Sequence, residues 1–268
     1  MYKISVVIPT YNREKYIKRA VESVLIQTGQ GEGFEITEVL IVDDGSVDNT
    51  ESVISRINNP KILYHKLPKN GGAIAAWNTG IGMAKGDWIA FQDSDDEWHI
   101  DKLLKQTQFL REHDECDMVS HPFRAFFSDG SEMCTRVVDG DRMIEELAIS
   151  NFIGTPTMLI RRTALIDMGG FNPEIKALQD WDFVVRFANR YKIEMIPDVL
   201  LNVNMSVEGM SADASKYYES RCRIIADNKD IFMEHNCFDD AVKSLLLHAQ
   251  KNEILDEVGR MLELYLKR

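Results

Sequence analysis

Over its first hundred residues, the chain alternates short apolar runs with longer segments in which the apolar residues recur at helical spacing. The apolar runs are Ile4–Ile8, Val39–Val42, Ile62–Tyr64 and Trp88–Phe91. The segments predicted to be helical are Arg13–Gln27, a stretch capped by Ser46 or Asp48 and ending at Ile57, and Gly71–Ala84. Continuous apolar strands separated by helices are typical of a parallel sheet covered by helices on both faces. The predicted fold class is therefore α/β.

The later part of the chain predicts a less regular order of elements. The predicted elements are a helix from Trp98 to about Arg111, a strand pair Met118–Phe127 and Thr135–Val138, a strand Met158–Ile160 and a helix Leu178–Tyr191. The most loop-like stretch is Asn202–Asp213, and from about Ala212 to Arg268 the pattern predicts only helices. We therefore expect a main domain over residues 1–211 and a C-terminal helical extension over 212–268.

Charge and cysteine usage exclude several classes of protein. The formal net charge is −12, which argues against general nucleic-acid binding but allows one anionic ligand held through a metal ion. The four cysteines lie far apart, so a disulfide framework or zinc cluster is not expected. We expect a cytoplasmic protein, since no apolar run approaches the ~18 residues that span a bilayer and no signal peptide is recognisable.

Polar clusters follow three of the predicted strands at the points where the strands end. They are Thr10-Tyr11-Asn12, Asp43-Asp44 and Asp93–Asp96. Ligands of open α/β sheets bind beyond the carboxyl ends of the strands. The shared placement of these clusters predicts a binding site at that edge.

The acidic run Asp93-Ser94-Asp95-Asp96 has two interpretations. Three carboxylates within four residues repel one another, and a hard divalent ion such as Mg²⁺ or Mn²⁺ removes that repulsion while joining carboxylates to substrate phosphates. Alternatively, Asp95 or Asp96 caps a helix that begins at Trp98. The position of the run at a strand end favours the metal site.

The other clusters also have both a functional and a structural interpretation. Asp43 can accept the imide N–H of a pyrimidine or the hydroxyls of a ribose, and Tyr11 can stack on a base whose edge bonds to Asn12. Each segment also suits a turn, with Asn12 as a helix cap. Similarly, Asn70-Gly71-Gly72 either brings backbone close to a ligand or begins a helix, and Asp180 is either a general base or a helix-dipole partner.

Taken in order, these segments resemble family 2 glycosyltransferases, which have the GT-A fold. The resemblance spans about residues 3–205 and rests on Ser5–Asn12, Val42–Thr50, Asn70–Gly72, Asn78–Gly80, Gly86–Asp96, Gly169–Phe171 and Gln179–Asp182. It implies a mostly parallel central sheet flanked by helices. It also implies an inverting transfer of a hexose or N-acetylhexosamine from a UDP-sugar to a glycan or lipid-linked acceptor. Association with the inner face of the membrane is an expectation for such an acceptor.

The resemblance assigns roles to individual residues. The implied donor-binding residues are Pro9, Thr10, Tyr11, Asn12, Asp43, Asn70, Gly71, Asp93 and Ser94. Asp93 and Asp95 correspond to the D-x-D pair that binds Mn²⁺ or Mg²⁺, with Asp96 as a further candidate. Asp180 corresponds to the catalytic base. Gln179 and Trp181 are the implied acceptor contacts.

The chain departs from the family pattern at three places. Gln179 replaces the usual acidic residue before the base, Trp77 replaces a frequent arginine, and Asn202–Asp213 contains no histidine. Either Asn204 or Ser206 substitutes for that histidine at the metal or diphosphate, or water completes the shell. Two alternative functions stay open, a nucleotidyltransferase that makes nucleotide-sugars and a catalytically silent UDP-sugar-binding module. The first is disfavoured because no glycine lies near Thr10–Arg13 to hold a triphosphate.

Overall fold

The computed structural model describes residues 1–205 and 214–267. The strands in this part of the chain are β1 (Tyr2–Thr10), β2 (Phe34–Asp43), β3 (Ile62–Lys66), β4 (Trp88–Phe91), β5 (Glu97–Trp98), β6 (Met118–Ser120), β7 (Arg124–Phe127), β8 (Glu132–Cys134), β9 (Leu159–Arg161), β10 (Ile193–Met195) and β11 (Leu201–Met205). Seven of these strands form the larger sheet, in the order β10-β6-β9-β4-β1-β2-β3. The other four form a smaller sheet, in the order β5-β11-β7-β8.

The larger sheet is mostly parallel. Strands β4, β1, β2 and β3 run parallel to one another, and β6 is parallel to β10. Among the described strands of this sheet, β9 alone is antiparallel to its neighbours, β4 and β6. The predicted α/β fold with a mostly parallel sheet is confirmed.

Helices cover both faces of this sheet. In the described residues they are α1 (Ile17–Leu25), α2 (Thr50–Ser55), α3 (Ala73–Met83), α4 (Lys102–Glu112), α5 (Met143–Ile149), α6 (Arg162–Asp167), α7 (Gln179–Ala188), α8 (Ala214–Asp227), α9 (Lys229–Glu234), α10 (Phe238–Lys251) and α11 (Leu255–Leu266). Two short 3₁₀ helices cover Gly140–Arg142 and Thr155–Thr157. None of the described helices is both long enough and apolar enough to cross a lipid bilayer.

Alternation along β1 divides the core into two layers. Val6 and Ile8 pack with apolar residues of α1, α2 and α4, whereas Val7 packs on the opposite face with α3, α6 and α7. This is the period-two pattern of a strand buried on both faces. The C-terminal helices α8–α11 contribute Cys222 and Leu245 to the second layer, so they share a core with α7.

The prediction of one long strand over Met118–Phe127 is wrong. The segment is two strands, β6 in the larger sheet and β7 in the smaller one, separated at His121–Phe123. Pro122 has no N–H to donate to a ladder, which explains the break. The partner of β7 is Glu132–Cys134 rather than Thr135–Val138. Thr135 instead donates its N–H to the Phe123 carbonyl and accepts the Phe123 N–H on its side-chain hydroxyl.

Several element boundaries also differ from the prediction. Helix α1 begins at Ile17, because the Arg13 carbonyl accepts the N–H groups of Tyr16 and Ile17 in a preceding turn. Neither Asp95 nor Asp96 caps a helix at Trp98, since Glu97–Trp98 is a strand and α4 begins at Lys102. The predicted loop Asn202–Asp213 begins as strand β11, and residues 206–213 lie outside the described part of the chain.

Candidate active site

The three polar clusters meet at the carboxyl ends of β4, β1 and β2, which are adjacent and parallel. Thr10 at the end of β1 is in register with Asp43 at the end of β2. Val7 of β1 is in register with Phe91 of β4, and Asp93 follows two residues later. The predicted grouping of these clusters at one edge is therefore present.

The loop after β1 is tied to the loop after β2 by Asn12. The backbone N–H of Asn12 donates to Ser46 Oγ at 2.9 Å, and Asn12 Oδ1 accepts the N–H of Val47 at 2.9 Å. Asn12 has φ 51°, a left-handed conformation that Asn tolerates better than most residues. Asn12 therefore joins two loops and does not cap α1.

The other residues of this loop differ in exposure. Pro9 and Thr10 are buried, and Thr10 Oγ1 has no hydrogen-bond partner among the described residues. The Tyr11 side chain is 41% exposed at the edge of the site. An exposed ring beside a buried hydroxyl gives this edge both a stacking surface and a polar contact.

Asp43 is fully buried, and both its carboxylate oxygens have protein donors. Oδ1 accepts the N–H of Ser46 at 2.7 Å, and Oδ2 accepts the hydroxyl of Tyr64 from β3. Burial and the bond to Asp43 raise the pKa of Tyr64 well above its usual range. Asp43 is thus fixed in one orientation, while each oxygen keeps a further lone pair for a ligand.

Asp44 fixes the backbone of the predicted Asn70–Gly72 segment. Its two carboxylate oxygens accept the N–H groups of Gly71 and Gly72, both at 2.7 Å. Gly72 has φ 84°, a backbone conformation that glycine adopts without strain, and α3 begins at the next residue. A Cβ on Gly45 would lie 3.3 Å from the Asn70 nitrogen, so the two loops are in close contact.

The acidic loop after β4 lies beside two arginines from the first loop and helix α1. Arg13 Nε is 3.5 Å from Asp95 Oδ2, and Arg19 Nη2 donates to the Asp95 carbonyl at 2.8 Å. Ser94 and Asp96 are buried within the loop. The Asp93 carboxylate, by contrast, faces other carboxylates.

Burial together with repulsion from Asp95 and Asp180 raises the pKa of Asp93 to about 7, against a smaller opposing effect of Arg13. Asp180 belongs to α7, which is far from β4 in the sequence. Its repulsion of Asp93 indicates that the carboxylates of the two elements come within electrostatic range of each other. This mutual repulsion is the central electrostatic feature of the site.

Asp180 is the second residue of α7. Its Oδ1 accepts the N–H of Trp181 at 2.9 Å, and its Oδ2 accepts Asn151 Nδ2 at 3.0 Å. Burial raises the Asp180 pKa to about 6, although both hydrogen bonds lower it. A carboxylate with a pKa near 6 is mostly ionised at neutral pH and is basic enough to accept a proton.

The two predicted acceptor residues flank Asp180 but differ in environment. Gln179 is half-buried and begins α7, whereas Trp181 is 5% exposed and its indole N–H donates to the Leu147 carbonyl at 2.8 Å. Trp181 is therefore packed against the protein interior. Gln179 is the better placed of the two for contact with a substrate.

Two motif segments of the sequence have structural roles. Asn78 exchanges hydrogen bonds with the backbone N–H and carbonyl of Phe171, at 2.9 and 2.8 Å. Trp77 is buried with its ring centroid 5.0 Å from that of Phe171. A Cβ on Gly170 would lie 2.5 Å from Asn78 Oδ1, so the Gly169–Phe171 turn requires glycine to dock against α3.

The chemistry of the site fits a divalent cation. Mg²⁺ and Mn²⁺ take oxygen ligands and commonly join one or two carboxylates to substrate phosphates. No cluster of three or more Asp, Glu, His or Cys side chains in the described residues forms a ready metal cage. A positive charge between Asp93 and Asp95 would nevertheless relieve the repulsion that raises the pKa of Asp93. The expected substitute Ser206 lies outside the described residues, as does the side chain of Asn204.

Sequence reasoning did not single out four residues that shape this site: Arg13, Ser46 and Tyr64 around the donor edge, and Asn151 at Asp180. The sequence predicts Ser46 only as a helix cap or as part of a turn, and Tyr64 only as part of an apolar strand. Asn151, just after α5, belongs to no recognisable motif. Ser46 bonds to Asp43 three positions earlier, but the other contacts join residues far apart in the sequence, as in Tyr64 to Asp43 and Arg13 to Asp95, and no local pattern predicts such pairs.

Comparison with known proteins gives a consistent family assignment. The family model described as Glycosyl transferase family 2 matches residues 5–169, so Asp180 lies outside the matched segment. The putative teichuronic acid biosynthesis glycosyltransferase TuaG of Bacillus subtilis is 33% identical over 182 residues, covering 66% of this chain and 68% of TuaG. An uncharacterized glycosyltransferase of Rickettsia felis is 43% identical over 111 residues, but the match spans 41% of this chain and 18% of that protein.

Solved structures share the fold. S. aureus TarS superposes with a TM-score of 0.70 at 25% identity, covering 92% of this chain and 43% of TarS. TarS residues 1–349 in complex with UDP-GlcNAc give a TM-score of 0.68 at 22% identity, covering 99% of this chain and 91% of that one. The mannosyltransferase PcManGT of Pyrobaculum calidifontis, in complex with GDP-Man and Mn²⁺, gives 0.68 at 19% identity, covering 97% and 74%.

Proposed function

This chain belongs to glycosyl transferase family 2 and is a glycosyltransferase, and we propose that it performs an inverting transfer from a UDP-sugar. The proposed sugar is a hexose or N-acetylhexosamine, and the proposed acceptor is a hydroxyl of a glycan or lipid-linked saccharide. The observation that supports the proposal is the grouping of the polar strand ends of β1, β2 and β4 at one edge of the sheet, together with the repulsion of Asp93 by Asp95 and Asp180.

The donor would bind along the ends of β1, β2 and β4. We propose that Tyr11 lies against the base and that Asp43 accepts the imide N–H of uracil. The buried Thr10 hydroxyl supplies a further polar contact, and the Asn70–Gly71 backbone, which Asp44 holds in place, lies along the donor. The rigid attachment of Asp43 to Ser46 and Tyr64 supports this role, since a preformed acceptor loses little conformational entropy on binding.

Asp93 and Asp95 would hold a divalent cation together with the diphosphate, and Asp93 and Ser94 would also contact the ribose or sugar. When bound, the cation supplies positive charge that stabilises the departing diphosphate. Mn²⁺ is present in the structure of PcManGT, which supports this choice of cofactor. The relief of repulsion between the two carboxylates supports it from the chain's own residues.

Asp180 would act as the general base. Its carboxylate takes the proton of an acceptor hydroxyl while that oxygen forms a bond to the anomeric carbon. The bond between the anomeric carbon and the diphosphate oxygen breaks, and UDP leaves with the electron pair. A single displacement of this kind inverts the anomeric centre, so an α-linked donor gives a β-glycoside.

UDP as the nucleotide is supported by the bound ligands of TarS, whereas PcManGT is bound to GDP-Man. The polysaccharide-type acceptor is supported by the name of TuaG. We propose that the enzyme acts in the cytoplasm, on an acceptor held at the inner face of the membrane. The proposed division into 1–211 and 212–268 assigns the transfer chemistry to the first part.

The test is a thermal-shift titration with UDP, GDP, dTDP and CDP, each with and without Mn²⁺, followed by assays of UDP or GDP release from UDP-GlcNAc, UDP-glucose and GDP-mannose. We expect stabilisation by UDP that depends on Mn²⁺, because a ligand that binds only the folded state raises stability by RT ln(1 + [L]/Kd). Asp180→Asn should keep UDP binding and lose roughly 10²-fold or more in turnover. UDP binding without any turnover by the wild-type chain would instead indicate a silent binding module.

A further inference from the structure

Asn151 makes two hydrogen bonds that point in different directions. Its Oδ1 accepts the N–H of Ile153 at 3.1 Å, which fixes the side-chain amide against its own backbone. This leaves Nδ2 as the donor toward Asp180, whose Oδ2 lies 3.0 Å away. The amide is therefore oriented by the local turn before it meets the carboxylate.

The backbone that carries Asn151 is held by the C-terminal helices. The Ile149 carbonyl, at the end of α5, accepts Arg221 Nη2 of α8 at 3.1 Å and Ser244 Oγ of α10 at 2.7 Å. Arg221 is 3% exposed and also donates to Ser244 Oγ at 2.7 Å. The segment after α5 is thus clamped by two helices that lie far along the chain.

The same helices support the other side of Asp180. The guanidinium of Arg221 lies 5.1 Å from the centroid of the Trp181 ring, and the Trp181 indole N–H donates to the Leu147 carbonyl of α5. Helices α5 and α7 are therefore tied together next to Asp180. Asn151 and Asp180 approach each other on elements whose relative position is fixed.

We propose that Asn151 is the positioning residue of Asp180, which it holds in one rotamer with the remaining lone pairs of the carboxylate directed to the acceptor, and that α8 and α10 maintain this pair. The inference rests on the proposed function, because it assumes that Asp180 is the base. In this role Asn151 acts through its hydrogen bond to Asp180.

Because other charged groups lie around Asp180, a change at Asn151 should alter the pH dependence of kcat. Asp93 faces Asp180 from the loop after β4, and Arg221 lies behind Trp181 on α8. A donor hydrogen bond favours the ionised carboxylate, whereas a second carboxylate in its place disfavours it. Two substitutions at position 151 therefore have different expected effects.

The experiment compares Asn151→Ala and Asn151→Asp with the wild-type chain, using the nucleotide sugar that the wild type hydrolyses in the presence of Mn²⁺. Asn151→Asp keeps the oxygen that accepts the Ile153 N–H, so it preserves the turn but places a negative charge against Asp180. We expect kcat to fall roughly 10-fold or more in both variants with little change in UDP affinity. The midpoint of the acidic limb of kcat should move to higher pH, and further in Asn151→Asp.

Asn59→Ala is the matched control. Asn59 is also half-buried, and its Oδ1 accepts the N–H of Lys61 two residues ahead at 3.0 Å, but it does not contact Asp180. It should leave kcat and the pH profile unchanged. A wild-type pH profile in Asn151→Asp, alongside inactive Asp180→Asn, would overturn the positioning role alone. Undiminished turnover by Asp180→Asn would overturn the base assignment and this inference with it.

Discussion

The hydrogen bond from Tyr64 to Asp43 offers a direct test of what orients Asp43 at the proposed nucleotide-binding edge of the sheet. Tyr64→Phe removes one hydroxyl and leaves the ring in β3. Asp43 is fully buried, so its Oδ2 would lose its donor while Ser46 continues to bond to Oδ1. The perturbation is therefore confined to one oxygen of one carboxylate.

The expected loss of stability follows from the charge and burial of the acceptor. A hydrogen bond to a charged group contributes about 1.5–3 kcal/mol. The Tyr64 side of the bond is half-buried, so water can replace part of the lost bond and we expect a loss of about 1–2 kcal/mol. Tyr191→Phe is the matched control, because Tyr191 donates to Asp167 Oδ2 at 2.7 Å in an exposed position. There we expect a smaller loss of stability, because water replaces an exposed hydrogen bond.

Urea denaturation of both variants at pH 7, together with calorimetric titration by UDP in Mn²⁺, measures the two consequences separately. Tyr64→Phe should weaken UDP binding on the order of 10-fold, since about 1.4 kcal/mol of orientation is lost. Tyr191→Phe should bind UDP as the wild type does. Equal stability of the two variants would refute the argument from burial. A destabilised Tyr64→Phe with unchanged UDP affinity would remove Asp43 from the nucleotide site.

Three further predictions concern packing, pH and the cation. A Cβ on Gly80 would lie 2.4 Å from Val7 Cγ1, so Gly80→Ala should lower the free energy of unfolding by about 1–3 kcal/mol, and Val7→Ala should partly restore it. In the same helix, a Cβ on Gly82 meets nothing within 4 Å, so Gly82→Ala should raise the free energy of unfolding by up to about 1 kcal/mol. Urea denaturation measures both effects. The Asp180 pKa is about 6, so the proposed base is mostly ionised at pH 7 and mostly protonated at pH 5. We therefore expect kcat to fall roughly 10-fold from pH 7 to pH 5 in a stopped assay of UDP release. A flat pH profile would contradict the assignment of Asp180 as the base. Asp95→Ala should weaken the Mn²⁺ dependence of UDP binding and raise the melting temperature without metal, and an unchanged Mn²⁺ dependence would refute the ligand role.

The sequence predicts the proposed donor half of the site because its residues lie at strand ends. Strand β4 is found at the predicted residues Trp88–Phe91, and the register of β1 with β2 follows from two apolar runs of a parallel sheet. Local order in the chain therefore determines which polar residues share an edge. The side-chain bonds of Asp43 and Asp44 were not readable, because both carboxylates could equally have faced a ligand.

The acceptor half was less readable for a physical reason. The pair Asn151 and Asp180 depends on how α5 packs against α7 and the C-terminal helices, and packing of this kind tolerates many apolar sequences. The pattern predicted helices after residue 212 without indicating where they dock. The break of the predicted strand at Pro122 was readable in principle, since proline does not continue a central strand.

The arrangement of acids explains why catalysis and stability oppose each other at this edge. An acid whose pKa is raised on folding destabilises the folded state at pH values above its unfolded pKa, and this cost is fully present above the folded pKa. For Asp93 the window runs from 3.8 to about 7, so the cost is nearly complete at neutral pH. A cation held there as proposed would remove the repulsion from Asp95 that contributes to this cost. Part of the affinity for a metal-bound donor would then come from relief of that repulsion, so removal of Asp95 should stabilise the chain while weakening metal-dependent binding.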